Sequence, residues 1–203
     1  SRVIWVDSDP AVGHDLTGSG SELYPFSSPK RAIEDAWPGD IIQLRSGVYP
    51  GAVVIRRSGI TIQSAPGHWA VLASSMHDPT ASVNVLTINA GLSNITLRGF
   101  EITGSFYYGV MLATSGSSAP RHVLLEDMRI HHTGASCVKA SQGSEFVTIR
   151  GSELAHCGVR NVKNAHGFVG VRVHVLLLED NYIHDLPGGA GIHLESGCVD
   201  SLI

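Results

Sequence analysis

Apolar residues alternate with polar ones in five short stretches, "GITIQS", "NITLRG", "HVLLED", "FVTIRG" and "VLLLED". Side chains on a strand point alternately to its two faces, so this period of two predicts strands with one buried side. The inward pairs are Ile60/Ile62, Ile95/Leu97, Val123/Leu125, Val147/Ile149 and Leu176/Leu178. After each of the last four comes a turn residue and another inward aliphatic: Ile102, Ile130, Leu154 and Ile183, spaced by 28, 24 and 29 residues. A third short strand follows in "GVML", "CVKA", "GFVG" and "GIHL". Three strands per repeat of roughly 25 residues predict the coils of a parallel β-solenoid, whose neighbours jointly bury a core that no coil buries alone. Enrichment in β-branched residues and regularly spaced glycines disfavour a helical reading.

The same alignment organises the exposed positions. The outward residue closing the first strand reads Gln63, Arg98, Glu126, Arg150 and Glu179. Stacked about 4.8 Å apart, the last four predict a column of alternating charge. Upstream, "SSPKRAIEDAWPGD" carries Ser28 as an N-cap, Pro29 at the first helical position and Pro38-Gly39 as a stop. Ala32, Ile33 and Ala36 share one face of this short helix, which is expected to cover the open end of the stack. The turn-rich "DSDPAVGHDLTGSGSELYPF" before it is expected to lie over the surface. The chain thus reads as one domain over 1–203, with an N-terminal segment and cap at 1–39 and rungs over 40–203. At the far end "VDSLI" aligns with the first strand of another rung, Ser201 and Ile203 falling at the places of Leu176 and Leu178. The expectation there is either a truncated C-terminal end or one capped by another chain, as in an end-to-end homodimer.

With 203 residues, 43 % hydrophobic and 16 % charged, the chain suits one globular core. A net charge of −4 and a pI near 6.2 argue against nucleic acid as the partner. No apolar run approaches the roughly 18 residues of a membrane span, so no membrane partner is expected. The opening "SRVIWVDSD" lacks a signal-peptide pattern, which says little about export. Cys137, Cys157 and Cys198 lack metal-type CxxC spacing, and their odd number leaves at least one without an intramolecular disulfide partner.

The segment "TGSGSELYPFSSPKRAIEDAWPGDIIQLRSGVYPG" resembles the N-terminal cap and first rung of the pectate-lyase-like right-handed parallel β-helix superfamily, where a PF…A…A.PGD.I.L..G.Y pattern introduces the coil. From Ser93 onward the rungs are similar to repeats of that superfamily, above all "VTIRGSELAHCG" and "LLLEDNYIHD". The resemblance covers nearly the whole chain. It implies an all-β, right-handed parallel β-helix with an N-terminal capping helix. Members include pectate, alginate and chondroitin lyases, galacturonan hydrolases, uronate epimerases, phage tailspikes and proteins with no known activity, so fold alone does not fix function. What the resemblance implies is a secreted or periplasmic, carbohydrate-active protein, either a lyase on an acidic polysaccharide or a non-catalytic glycan-binding or structural solenoid. Such lyases need a Lys, Arg or His base beside cationic groups or Ca²⁺ that hold the uronate carboxylate. Calcium enters by resemblance only, because no acidic cluster has calcium-ligand spacing. The paired aspartates of the hydrolase branch, and the usual Glu…Lys and Arg context of the alginate and chondroitin branch, are likewise missing.

Chemistry is expected where the rungs differ. Stacking the third strands places Met111, Lys139, Val169 and His193 in one outward column, with Ala113, Ser141, Val171 and Glu195 beside it. Lys139 and His193 are the candidate catalytic residues, two rungs apart. The long rung "RNVKNAHGFVGVRVH" inserts extra residues into its turn, and loops on a rigid scaffold carry binding groups. Arg160, Lys163, His166, Arg172 and Glu195 are the candidate substrate-binding residues. His132, His156 and Asp185 stack at one turn, a spacing open to a metal or to ladder hydrogen bonds; no metal ligand is assigned.

Overall fold

The computed structural model describes residues 1–77, 84–160 and 165–203. Lys163 lies outside the described residues. The chain is a parallel β-solenoid. Among the described residues three parallel sheets run along it, of eight, six and six strands. The first sheet holds Val3–Val6, Ile41–Leu44, Thr61–Ser64, Ser93–Arg98, Arg121–Glu126, Glu145–Arg150, His174–Glu179 and Val199–Leu202. The second holds Gly47–Pro50, Ala70–Ala73, Glu101–Thr103, Arg129–Thr133, Glu153–Cys157 and Tyr182–His184. The third holds Val53–Ile55, Leu86–Ile88, Val110–Leu112, Val138–Ala140, Phe168–Val171 and Ile192–Glu195. The strand Val3–Val6 was not foreseen; it pairs in register with Ile41–Leu44 and opens the first sheet.

Every inward pair read from the alternation is buried, and the register links Ile62, Leu97, Leu125, Ile149 and Leu178 in one column. Ile102, Ile130, Leu154 and Ile183 form the matching column in the second sheet. Each fully buried aliphatic of this kind contributes about 1.5–3 kcal/mol. The corner between these sheets uses left-handed backbone at Gly99, Asp127, Gly151 and Asp180 (φ +65°, +53°, +59° and +53°), residue types that tolerate it. On the outer surface Glu126 joins Arg98 and Arg150, the latter through Nε at 2.7 Å, and Arg150 reaches Glu179 at 3.9 Å. Desolvation acts to raise the Glu126 pKa, but the hydrogen bonds from Arg150 and Arg98 outweigh it and hold the carboxyl below its ordinary value.

The residues of the quoted PF…PGD…Y pattern are structural. The helix Pro29–Asp35 is capped by the Ser28 hydroxyl, which accepts from the Arg31 amide at 3.2 Å, and it buries Ala32 and Ile33. Phe26, Ala36, Ile42, Leu44 and Tyr49 are all in the core. Asp40, buried, accepts the amides of Arg2 and Trp37, each at 3.0 Å, and the Arg2 guanidinium at 2.9 Å. The Tyr49 hydroxyl donates to the Arg45 carbonyl at 2.9 Å. At Gly47 an added Cβ would sit 2.1 Å from the Ser8 hydroxyl, which closes that position to larger residues.

Cys137 and Cys157 form a disulfide between neighbouring coils, with Cα atoms 5.2 Å apart, and Cys198 is free. Closing a loop of this length stabilises by about 3 kcal/mol in the chain-entropy account. Cys157→Ala is therefore expected to lose about that much in denaturant unfolding. Leu125→Asp, which buries an unpaired charge in the central column, is expected to abolish the cooperative melt, whereas Glu126→Gln costs no more than about 1 kcal/mol. A native melting curve for Leu125→Asp would overturn the register.

Candidate functional site

The outward column of the third sheet runs Val54, Thr87, Met111, Lys139, Val169 and His193. Lys139 and His193 thus share a face, as their positions in the repeat predict. Val169 stands between them, and two strand spacings are about 9–10 Å, so they make no direct hydrogen bond. The half-buried Lys139 places Nζ 5.4 Å from the centroid of the Tyr108 ring. In the neighbouring column Glu195 pairs with Val171 and is exposed, while Ser141 is buried against the Met111 sulfur.

Described side chains of the turns leading into this sheet form a wall beside the column. His166 stacks on His193 with ring centroids 4.4 Å apart and planes 10° from parallel. Its Nδ1 accepts the Ala190 amide at 3.0 Å, and its own amide donates to Ser136 Oγ at 3.0 Å. Arg160 lays its guanidinium 3.5 Å from the centroid of Phe106, and Phe106 meets Tyr107 edge-on at 5.0 Å. Burial, then the neighbouring His193, hold the His166 imidazole below its ordinary pKa. Arg172 is elsewhere: it stands at the other end of strand Phe168–Val171, in left-handed backbone (φ +48°), with its side chain against Gly197. The structure therefore brings Lys139, His193, His166, Glu195 and, over the aromatic wall, Arg160 to one side, and leaves Arg172 on the opposite turn. The run Phe106-Tyr107-Tyr108 was missed. Its signal was three consecutive aromatics at the same turn position as the inserted Arg160 segment.

A second polar cluster lines the far edge of the second sheet. His132, His156 and Asp185 occupy equivalent left-handed corners (φ +51°, +49° and +50°). His131 bonds Glu101 at 3.0 Å through Nε2 and His132 at 2.6 Å through Nδ1. His184 bonds Asp185 at 2.8 Å and Glu153 at 3.1 Å. The hydrogen bond to Asp185, reinforced by Glu153 against desolvation, raises the His184 pKa. Among the described residues no group of three or more His, Cys, Asp or Glu side chains is arranged to hold a metal ion. The corner side chains meet along the stack, the His132 and His156 rings with centroids 4.7 Å apart and His156 Nε2 3.9 Å from Asp185, and the donor set does not fit the calcium implied by the resemblance.

No protein-family model and no curated protein matches the sequence. Solved structures do. An alginate lyase from Paenibacillus sp. str. FPU-7 superposes with a TM-score of 0.76 at 20 % identity, over 98 % of this chain and 64 % of that one. Pectate lyase Pel9A gives 0.68 at 20 % identity, over 98 % and 47 %. XylC, in its complex with xylose, gives 0.72 at 12 % identity, over 97 % and 61 %. The chain has the parallel β-helix fold that these proteins share. It spans about half to two-thirds of the length of these β-helix proteins.

On this β-helix His166 and His184, two of the three histidines with perturbed pKa among the described residues, carry opposite signs of pH dependence. His166, with its folded pKa depressed, contributes stability that is present above the ordinary histidine value of about 6.5 and lost as pH falls through the folded value. His184, with its folded pKa raised, contributes stability that is full below about 6.5 and lost as pH rises through the folded value. Imidazole titration by NMR is expected to show His166 deprotonating at lower pH than His184; the reverse order would contradict the contacts described.

Proposed function

We propose that this β-helix is carbohydrate-active and holds an acidic, uronate-containing polysaccharide along the outward face of its third sheet, cleaving it by a lyase-type elimination. The observation that carries this reading is the setting of Lys139. It is the one primary amine in its column among the described residues, flanked by Tyr108 and, along the same face, by the stacked His166 and His193. Aromatic faces and cations beside a sheet suit sugar rings that carry carboxylates. Two of the similar solved structures are polysaccharide lyases, which supports the substrate class. The disulfide suits an oxidising compartment and so a secreted or periplasmic protein.

In the proposed reaction the Lys139 amine is the base that takes the proton from the carbon next to the uronate carboxylate. That electron pair forms the carbon–carbon double bond, the bond to the 4-linked sugar oxygen breaks, and the departing oxygen takes up a proton. Tyr108 is the hydroxyl-bearing side chain beside Lys139. Charge building on the carboxylate is met by the cations of the turn wall, Arg160 above all. No step is routed through calcium.

One observation favours the alternative, a non-catalytic glycan-binding solenoid: Val169 separates Lys139 from His193, so the column holds no hydrogen-bonded acid–base pair. Pectate, alginate and glycosaminoglycans, each with Ca²⁺ and with chelator, separate the two readings through the absorbance of unsaturated product. Lys139→Ala is expected to lower the rate by about 10²–10⁴-fold with an unchanged melting temperature. Product formed equally by that variant sinks the catalytic assignment, and binding of wild type without product supports the alternative.

A further inference from the structure

A groove of about 600 Å³ lies between the N-terminal helix and the first strand of the third sheet. Lys30 and Glu34 face it from the helix, and Val54, Arg56 and Arg57 from the strand and its exit. Three cations thus stand against one carboxylate. Arg57 is partly engaged: it donates to the Glu34 carbonyl at 3.2 Å and lies over the Trp37 ring at 5.4 Å. Lys30 and Arg56 are both exposed, and no described residue pairs with either as ion or hydrogen-bond partner. Two cations around an open cavity, with no ion-pair or hydrogen-bond partner among the described residues, call for an anionic occupant.

Register says which anion can reach it. Val54, on the groove floor, pairs with Thr87, Thr87 with Met111, and Met111 with Lys139. The groove is therefore the far end of the Lys139 column, three strand spacings or about 14 Å away. Thr87 and Met111 between them are uncharged, so the column offers two cationic poles joined by a neutral floor.

We propose that this groove is a remote subsite for a carboxylate- or sulfate-bearing sugar of the same polysaccharide chain that lies over Lys139. The inference rests on the reading of the third sheet given above and adds a length requirement: a saccharide shorter than the span touches one pole only. It assigns Lys30 and Arg56 as binding residues and gives the capping helix a role beyond closing the core.

The test uses calorimetry with alginate, pectate and a sulfated glycosaminoglycan, each as polymer and as disaccharide, on wild type, Lys30→Ala/Arg56→Ala and Lys139→Ala. The double variant is expected to bind the preferred polymer roughly 3- to 10-fold more weakly, with unchanged disaccharide binding at the Lys139 pole. Its melting temperature is expected to stay that of wild type, since no described residue pairs with either side chain. Polymer binding at wild-type affinity in the double variant, alongside weakened binding in Lys139→Ala, overturns the subsite and leaves the third-sheet reading standing. Weakened binding in the double variant with none in Lys139→Ala overturns the third-sheet reading instead, and the shared chain with it. Absence of binding by wild type to every polymer overturns both.

Discussion

Parallel stacking in register sets Ile62, Leu97, Leu125, Ile149 and Leu178 directly above one another, and the rest of the molecule depends on that column. A slip of one residue in any strand would turn its apolar face to water and its charged face to the core. Because each strand is paired on both sides through most of the stack, the register of one coil is imposed on the next. The position of Lys139 is a consequence of this: nothing local specifies its place three strands from Val54, but the buried neighbours Val138 and Ala140 leave it no other.

The ends of such a stack need different chemistry from its middle. At the N-terminal end the helix supplies only a small apolar face, and buried and half-buried carboxylates hold it in place. Asp40 ties the first strand to the helix exit, and Asp15 accepts the amides of Ser27 and Ser28 and the Ser28 hydroxyl. Hydrogen bonds from those groups hold both carboxyls below their ordinary pKa against the desolvation that would raise it. Acidic residues in this region therefore act as struts.

The repeat was legible because burial repeats: the aliphatic columns, the charge column and the helix cap all follow from positions that each coil reuses. The strand Val3–Val6 was not legible, since it stands alone, far in sequence from the partner Ile41–Leu44 that makes it a strand. The face shared by Lys139 and His193 could be read from strand alignment alone, whereas the stacking of His166 on His193 could not, because it depends on the path of a turn. The same limit hid the Arg160–Phe106 contact, which joins turns of two coils separated by a third. Arg172 and His166 flank the strand Phe168–Val171 at opposite ends, and at the Arg172 end left-handed backbone directs the side chain onto Gly197.

The disulfide links the start of the Lys139 strand to the foot of the turn that carries Arg160. Loop-closure entropy grows only slowly with length, so a turn whose foot is covalently anchored can lengthen at little thermodynamic cost. In this rung, insertions are free to change the reach and composition of the wall while the amine on the floor keeps its place. Descendants of such a chain can remodel the surface beside the third sheet through turn length alone, the scaffold being inherited intact.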